Sequence, residues 1–235
     1  MTPRKRHERP YKHTNVEPIT FTKLDEETQG RVDRISEEFK NGFTLLKTAP
    51  HSVTFWGSAR TASDEKMYVK AEKLASRIVT ELGYAIITGG GPGIMAAGNC
   101  GAYDAGGKSV GLTIKLPYEQ KTNLCLTHHM DFKYFFARKV CLAFAAEAYI
   151  YFPGGFGTLD ELFEVLTLVQ TKKISPAPSI VLVGKKYWKG LDKFIKKTLL
   201  KQEMIDKEDI NLYTITDDDD EIIDLIKNSP IRKNG

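Results

Sequence analysis

The chain has 235 residues, 41% hydrophobic and 27% charged, with a formal net charge of +4. That is enough for one α/β domain with a sizeable core. No apolar run approaches the ~18 residues of a membrane helix, and the N-terminus carries no apolar segment of signal-peptide type, so neither a helical span nor a membrane partner is expected. The three cysteines, Cys100, Cys125 and Cys141, are far apart and form no CxxC pair. This spacing argues against a disulfide framework and against a thiolate zinc site, and it predicts a cytoplasmic protein.

The basic excess is concentrated at the start, where Arg4, Lys5, Arg6, Arg9 and Lys12 face only Glu8. A charged terminus of this kind is expected to be a solvated tail, so residues 1–26 read as a flexible lead-in and a nucleic-acid partner is not expected. Residues 27–47 carry Val32, Ile35, Phe39, Phe43 and Leu46 at spacings of three and four, which places them on one helical face. Pro50 ends this helix, and residues 27–50 form an amphipathic extension to a domain spanning 51–235.

From residue 51 strands alternate with helices. Residues 52–56 predict a strand ending at Gly57-Ser58, and 64–82 predict a helix. A strand over 84–88 runs into Gly89-Gly90-Gly91-Pro92-Gly93, with a helix over 94–105 behind it. Further strands are expected at 109–114, 126–132, 148–152, 179–183 and 212–215. Helices are expected at 134–146, 159–169, 187–203 and 219–228. Such alternation implies right-handed crossovers and a largely parallel sheet of about six or seven strands, covered on both faces: a Rossmann-like doubly wound α/β fold. The acidic run Asp217 to Asp220 fits the N-terminus of the last helix, where the macrodipole favours negative charge, better than a metal site.

Two glycine-rich turns each follow a strand and open a helix. Such turns present free backbone N–H groups and the positive end of a helix dipole, and glycine lets a phosphate approach the backbone. The first, at Gly91-Pro92-Gly93-Ile94-Met95-Ala96, fits a dinucleotide fingerprint. It lacks the acidic residue that should end the next strand, which here runs Thr113-Ile114-Lys115, so a nicotinamide cofactor is not expected. Gly107-Lys108-Ser109 imitates the end of a P-loop but leads into a strand. His128-His129 has no spaced third ligand, so no metal is expected.

The second turn is Pro153-Gly154-Gly155-Phe156-Gly157-Thr158. Thr158-Leu159-Asp160-Glu161 reads as a capping box, with Thr158 at the N-cap and Glu161 reaching back. Chain direction adds to this. The helix over 134–146 starts at the carboxyl edge of the sheet and carries Arg138 there, and the next strand returns to the same edge. Arg138 and Glu161 should therefore converge beside one phosphate-binding turn, a plausible site for a phosphorylated sugar.

Arg138-Lys139 together with Pro153-Gly154-Gly155-Phe156-Gly157-Thr158-Leu159-Asp160-Glu161 resembles the paired RK and PGGxGTxxE motifs of the LOG (Lonely Guy) family, many members of which were labelled lysine decarboxylases. Gly57-Ser58 and the turn from Gly89 through Met95 also look like that family's earlier turns, and the likeness covers about residues 51–200. The resemblance implies a Rossmann-like fold, usually dimeric, that cleaves the N-glycosidic bond of a nucleoside 5′-monophosphate to free base and ribose 5-phosphate. AMP and cytokinin-type nucleotides are the implied substrates, with no cofactor.

Carried over, Arg138 and Glu161 take the catalytic positions, and Gly154, Gly155, Gly157 and Thr158 hold the phosphate. Lys139, Glu119, Thr167, Gly57, Ser58, Gly91, Gly93 and Met95 become further candidates for substrate contact. The departures are Tyr134-Phe135-Phe136-Ala137 where shorter members have a Met-His pair, Asp160-Glu161 where Glu-Glu is frequent, and terminal regions outside the common core. They suggest a longer bacterial branch. No segment argues for pyridoxal phosphate.

Overall fold

The computed structural model describes residues 21–115 and 122–231, with side chains from residue 25 onward. Residues 1–20 of the expected lead-in and Glu119 lie outside the described residues. Among the described residues, seven parallel strands form one sheet in the order β4-β3-β2-β1-β5-β6-β7. They are β1 Ser52–Trp56, β2 Ala85–Thr88, β3 Ser109–Ile114, β4 His128–Phe132, β5 Ala148–Tyr151, β6 Ser179–Leu182 and β7 Thr214–Ile215. The α-helices are α1 Phe21–Leu46, α2 Lys66–Arg77, α3 Ile94–Asp104, α4 Phe135–Phe144, α5 Phe156–Gln170, α6 Lys185–Phe194 and α7 Asp219–Lys227. The expected Rossmann-like α/β architecture is the one observed.

The central strands β1, β2 and β5 are buried along their whole length, as strands covered on both faces must be. One core joins α4, α5 and α6 to the sheet through Cys141, Leu142, Leu162, Val165 and Trp188. The other joins α2, α3 and α7 through Leu74, Ala75, Ile94, Ala97 and Ile222.

Helix α1 begins at Phe21, before the expected start at residue 27. It lies against α4: Phe39 and Phe43 contact Phe136 and Phe144. The Glu38 carboxylate accepts the Lys133 and Tyr134 backbone N–H groups at 2.7 and 3.2 Å, where its charge complements the start of α4. The extension thus braces the helix that carries Arg138. The acidic run behaves as expected: Asp218 caps α7, accepting the Asp220 and Glu221 backbone N–H groups.

The strand order reverses between β1 and β5, which pair through Trp56 and Tyr151 at their carboxyl ends. A doubly wound sheet opens its ligand crevice at such a switch point. Here the loops leaving the two strands separate to opposite faces and leave a cavity between them.

Two sequence expectations are corrected. Cys100 and Cys125 form a disulfide. Distance along the chain misled because α3 carries Cys100 back to the β3–β4 loop that holds Cys125; only Cys141 is free, and it is buried. Thr158 is not an N-cap either. The helix begins at Phe156 with Gly155 at the cap, so Thr158 sits inside the first turn and Glu161 makes no return bond to a cap.

Candidate active site

A cavity of about 820 Å³ sits at the switch point. Gly57, Ser58, Met95, Arg138, Gly154, Gly155, Gly157, Thr158 and Glu161 line it. The convergence of Arg138 and Glu161 expected from chain direction is therefore the observed arrangement.

The second glycine turn is exposed and leaves open space beside two of its glycines. A methyl group added at Gly155 or Gly157 would meet no atom within 4 Å, although both residues line the cavity. A methyl at Gly154, by contrast, would strike Thr158 Oγ1 at 2.0 Å, so that glycine allows the turn to close on the helix. The Tyr187 hydroxyl donates to the Gly154 carbonyl and fixes the turn from α6. The first turn of α5, whose leading backbone N–H groups have no intrahelical partners, lines the cavity.

Glu161 is 94% buried, its relative exposure being 6%. Its Oε2 has no hydrogen-bond partner among the described residues. Loss of solvation pushes its carboxyl up to about 8; Lys139 and Arg138 pull the other way, and Glu164 and Asp160 add to the rise. Arg138 is partly buried. Its Nε donates to Leu112 O at 2.6 Å and its Nη2 to Gly89 O at 3.3 Å. Burial lowers its pKa and the nearby Glu161 raises it, but a guanidinium starts so high that it stays charged. A methyl on Gly89 would sit 2.1 Å from Arg138 Nη2, so Gly89 makes room for the guanidinium.

Other candidates lie elsewhere. Lys139 follows Arg138 on the helix and so points a quarter-turn away. Its ammonium pairs with Asp160 at 2.7 Å and Glu164 at 3.2 Å. With Thr167 it lines a shallow groove along α4 and α5, outside the cavity. Gly91 and Gly93 also miss the cavity lining. Gly91 O accepts from Asn123 Nδ2 at 3.1 Å. Gly93 has φ +68°, and a methyl there would lie 2.2 Å from Ser58 O. The structure adds Arg60, Thr61 and Tyr187, which the sequence reading passed over. Arg60 had a usable signal, since it lies in the first loop at the carboxyl edge, two residues past Ser58.

The fold is Rossmann-like, with a cavity at the carboxyl edge of the sheet. Residues 95–226, more than half of the chain, match the family described as "Possible lysine decarboxylase". The chain belongs to that family, the LOG family. A cytokinin riboside 5′-monophosphate phosphoribohydrolase from Rhodococcoides fascians is 28% identical over 157 residues, covering 64% of this chain and 76% of that protein.

Among solved structures, the molybdenum cofactor carrier protein of Chlamydomonas reinhardtii matches with a TM-score of 0.56 at 23% identity, over 75% of this chain and 96% of that one. The molybdenum cofactor binding protein of Rippkaea orientalis matches with a TM-score of 0.53 at 22% identity, over 75% and 93%. These two likenesses concern the fold alone. No helix among the described residues is long and apolar enough to cross a membrane.

Proposed function

We propose that this chain hydrolyses the N-glycosidic bond of a nucleoside 5′-monophosphate, AMP or a cytokinin-type nucleotide, releasing free base and ribose 5-phosphate. The observation that carries this reading is the buried, unpartnered carboxylate of Glu161 beside Arg138, in the same cavity as an open glycine turn. The turn and the start of α5 hold the 5′-phosphate through backbone N–H groups and the helix dipole. That contact is remote from the reacting carbon and orients the sugar.

Cleavage passes through an oxocarbenium-like state at C1′. Glu161, with its pKa near neutrality, takes a proton from the attacking water while its developing charge faces the sugar cation. Water oxygen bonds to C1′, the bond from C1′ to the base nitrogen breaks, and the base leaves with the electron pair and then a proton. Arg138 holds Glu161 ionisable and positions the substrate.

The family habit of pairing supports a homodimer. Phe135 and Phe156, exposed at the rim of the cavity, are suitable contact residues. Sedimentation reads the assembly directly.

A second reading comes from the structural likeness to cofactor-binding and carrier proteins, which would make this a ligand holder without turnover. Incubating the protein with AMP and separating products by chromatography decides between them. Hydrolysis yields adenine and ribose 5-phosphate in equal amounts; binding without any free base would overturn the enzyme assignment.

A further inference from the structure

The β1–α2 loop is stitched to both glycine turns. Ser58 N–H donates to Pro153 O at 3.0 Å, and Ile94 N–H donates to Ser58 O at 3.0 Å. Ser58 Oγ then accepts the Arg60 backbone N–H at 3.0 Å and curls the loop back on itself. Two residues of chain span about 7 Å at most, so the Arg60 backbone lies within that distance of Ser58, next to the Pro153 turn.

Charge is short at this turn. A phosphate monoester carries about −1.5 to −2 at neutral pH. The end of a helix offers roughly half a positive charge. Asp160 and Glu161 also line the cavity and add negative charge. Two described cationic residues, Arg138 and Arg60, line it as well. Arg138 is partly buried, and its Nε and Nη2 already donate to Leu112 O and Gly89 O. Lys139 is held outside by Asp160 and Glu164. The Arg60 side chain is exposed and makes no hydrogen bond or ion pair among the described residues.

We propose that Arg60 is a phosphate-binding residue of this site: it swings onto the 5′-phosphate seated on the Gly154–Thr158 turn and makes the cavity select phosphorylated ribosides over free nucleosides. This rests on the nucleotide reading above for the identity of the ligand. A planar guanidinium suits the task, because it can give two parallel N–H bonds to phosphate oxygens. Its exposure leaves it free to move until the ligand arrives.

The test uses the full chain with Arg60→Ala and Arg60→Lys, and ribose 5-phosphate as the probe in titration calorimetry. Arg60→Ala is expected to weaken ribose 5-phosphate binding about 10- to 100-fold, the range of one charge-assisted contact, with an unchanged melting temperature. Arg60→Lys should recover part of the affinity, because it restores charge without the fork. In turnover of AMP the loss should fall mainly on KM.

Ribose 5-phosphate binding by Arg60→Ala as tight as wild type overturns the proposal, and so does wild-type protein that fails to bind it. The two readings fail separately. Protein that releases no base but binds ribose 5-phosphate through Arg60 keeps the clamp and loses the hydrolase. Protein that hydrolyses AMP with an unchanged KM in Arg60→Ala loses only the clamp.

Discussion

The two glycine turns have the same local grammar and opposite uses. Each leaves a buried strand, β2 or β5, and opens a helix at the carboxyl edge. The first is crowded by its own protein, although Gly89 also borders the cavity: methyl groups on Gly89, Gly90 and Gly93 would strike Arg138, Thr113 and Ser58 at 2.1, 2.5 and 2.2 Å. The second leaves open space beside Gly155 and Gly157, which line the cavity. The first turn therefore seats Arg138 and anchors Ser58, while the second leaves open space beside two glycines that line the cavity. A glycine-rich turn is a phosphate cradle only when nothing else occupies the space its missing side chains leave.

The largest effect expected from this contrast is at the chemistry beside the second turn. Glu161→Gln should keep the fold and lower release of base from AMP by roughly 10²- to 10⁴-fold, the usual share of a general base. Wild-type kcat/KM should rise with pH and level off above about 8, the value to which burial lifts the Glu161 carboxyl. Full activity in Glu161→Gln would remove this residue from the mechanism.

The same group has a stability signature. Its folded pKa, about 8, exceeds the ordinary value of 4.5, so the native state binds more protons between those values. Wild-type stability should therefore fall as pH rises from 4.5 through 8. Glu161→Gln should escape that fall, by a few kcal/mol at most. Parallel pH–stability curves for the two proteins would contradict the burial argument.

The next effect belongs to the first turn. Cys125 lies two residues past Asn123, whose backbone N–H donates to Gly90 O at 2.9 Å and whose side chain reaches Gly91 O and Asn99. The disulfide from Cys100 to Cys125 closes a sequence separation of 25. The Cys100→Ser/Cys125→Ser double variant should cost about 3 kcal/mol by denaturant titration, as for a loop of that size. Affinity for ribose 5-phosphate should hold, because the second turn is untouched. A large loss of that affinity would show that the two turns do not act separately.

The smallest effects make the sharpest comparison, since one substitution should act with opposite signs. Gly93→Ala places a side chain at φ +68° against Ser58 O and should destabilise by at least about 2 kcal/mol. Gly157→Ala lies within the first turn of α5, where alanine is the better helix former, and should stabilise by about 0.5–1 kcal/mol. It should nevertheless weaken ribose 5-phosphate binding, because its methyl enters the cavity. Thermal melts and calorimetry on the two variants check both halves; tighter binding by Gly157→Ala would refute the cradle.

Much of this molecule was determined by local pattern. Hydrophobic period and chain direction located the strands and helices, the parallel sheet and its active edge, because a βαβ crossover returns to the same edge by geometry alone. That was enough to bring Arg138 and Glu161 together across 23 residues. The family motif added the chemistry expected of them.

What the sequence could not determine depends on atoms from distant segments. The seating of Arg138 under Leu112 O and Gly89 O, the outward turn of Lys139, the filling of the first turn and the closure of Cys100 on Cys125 all depend on partners from other segments of the fold. So does the emptiness beside Gly155 and Gly157. Whether a space is filled is a property of packing, and packing is decided only when the whole chain has folded.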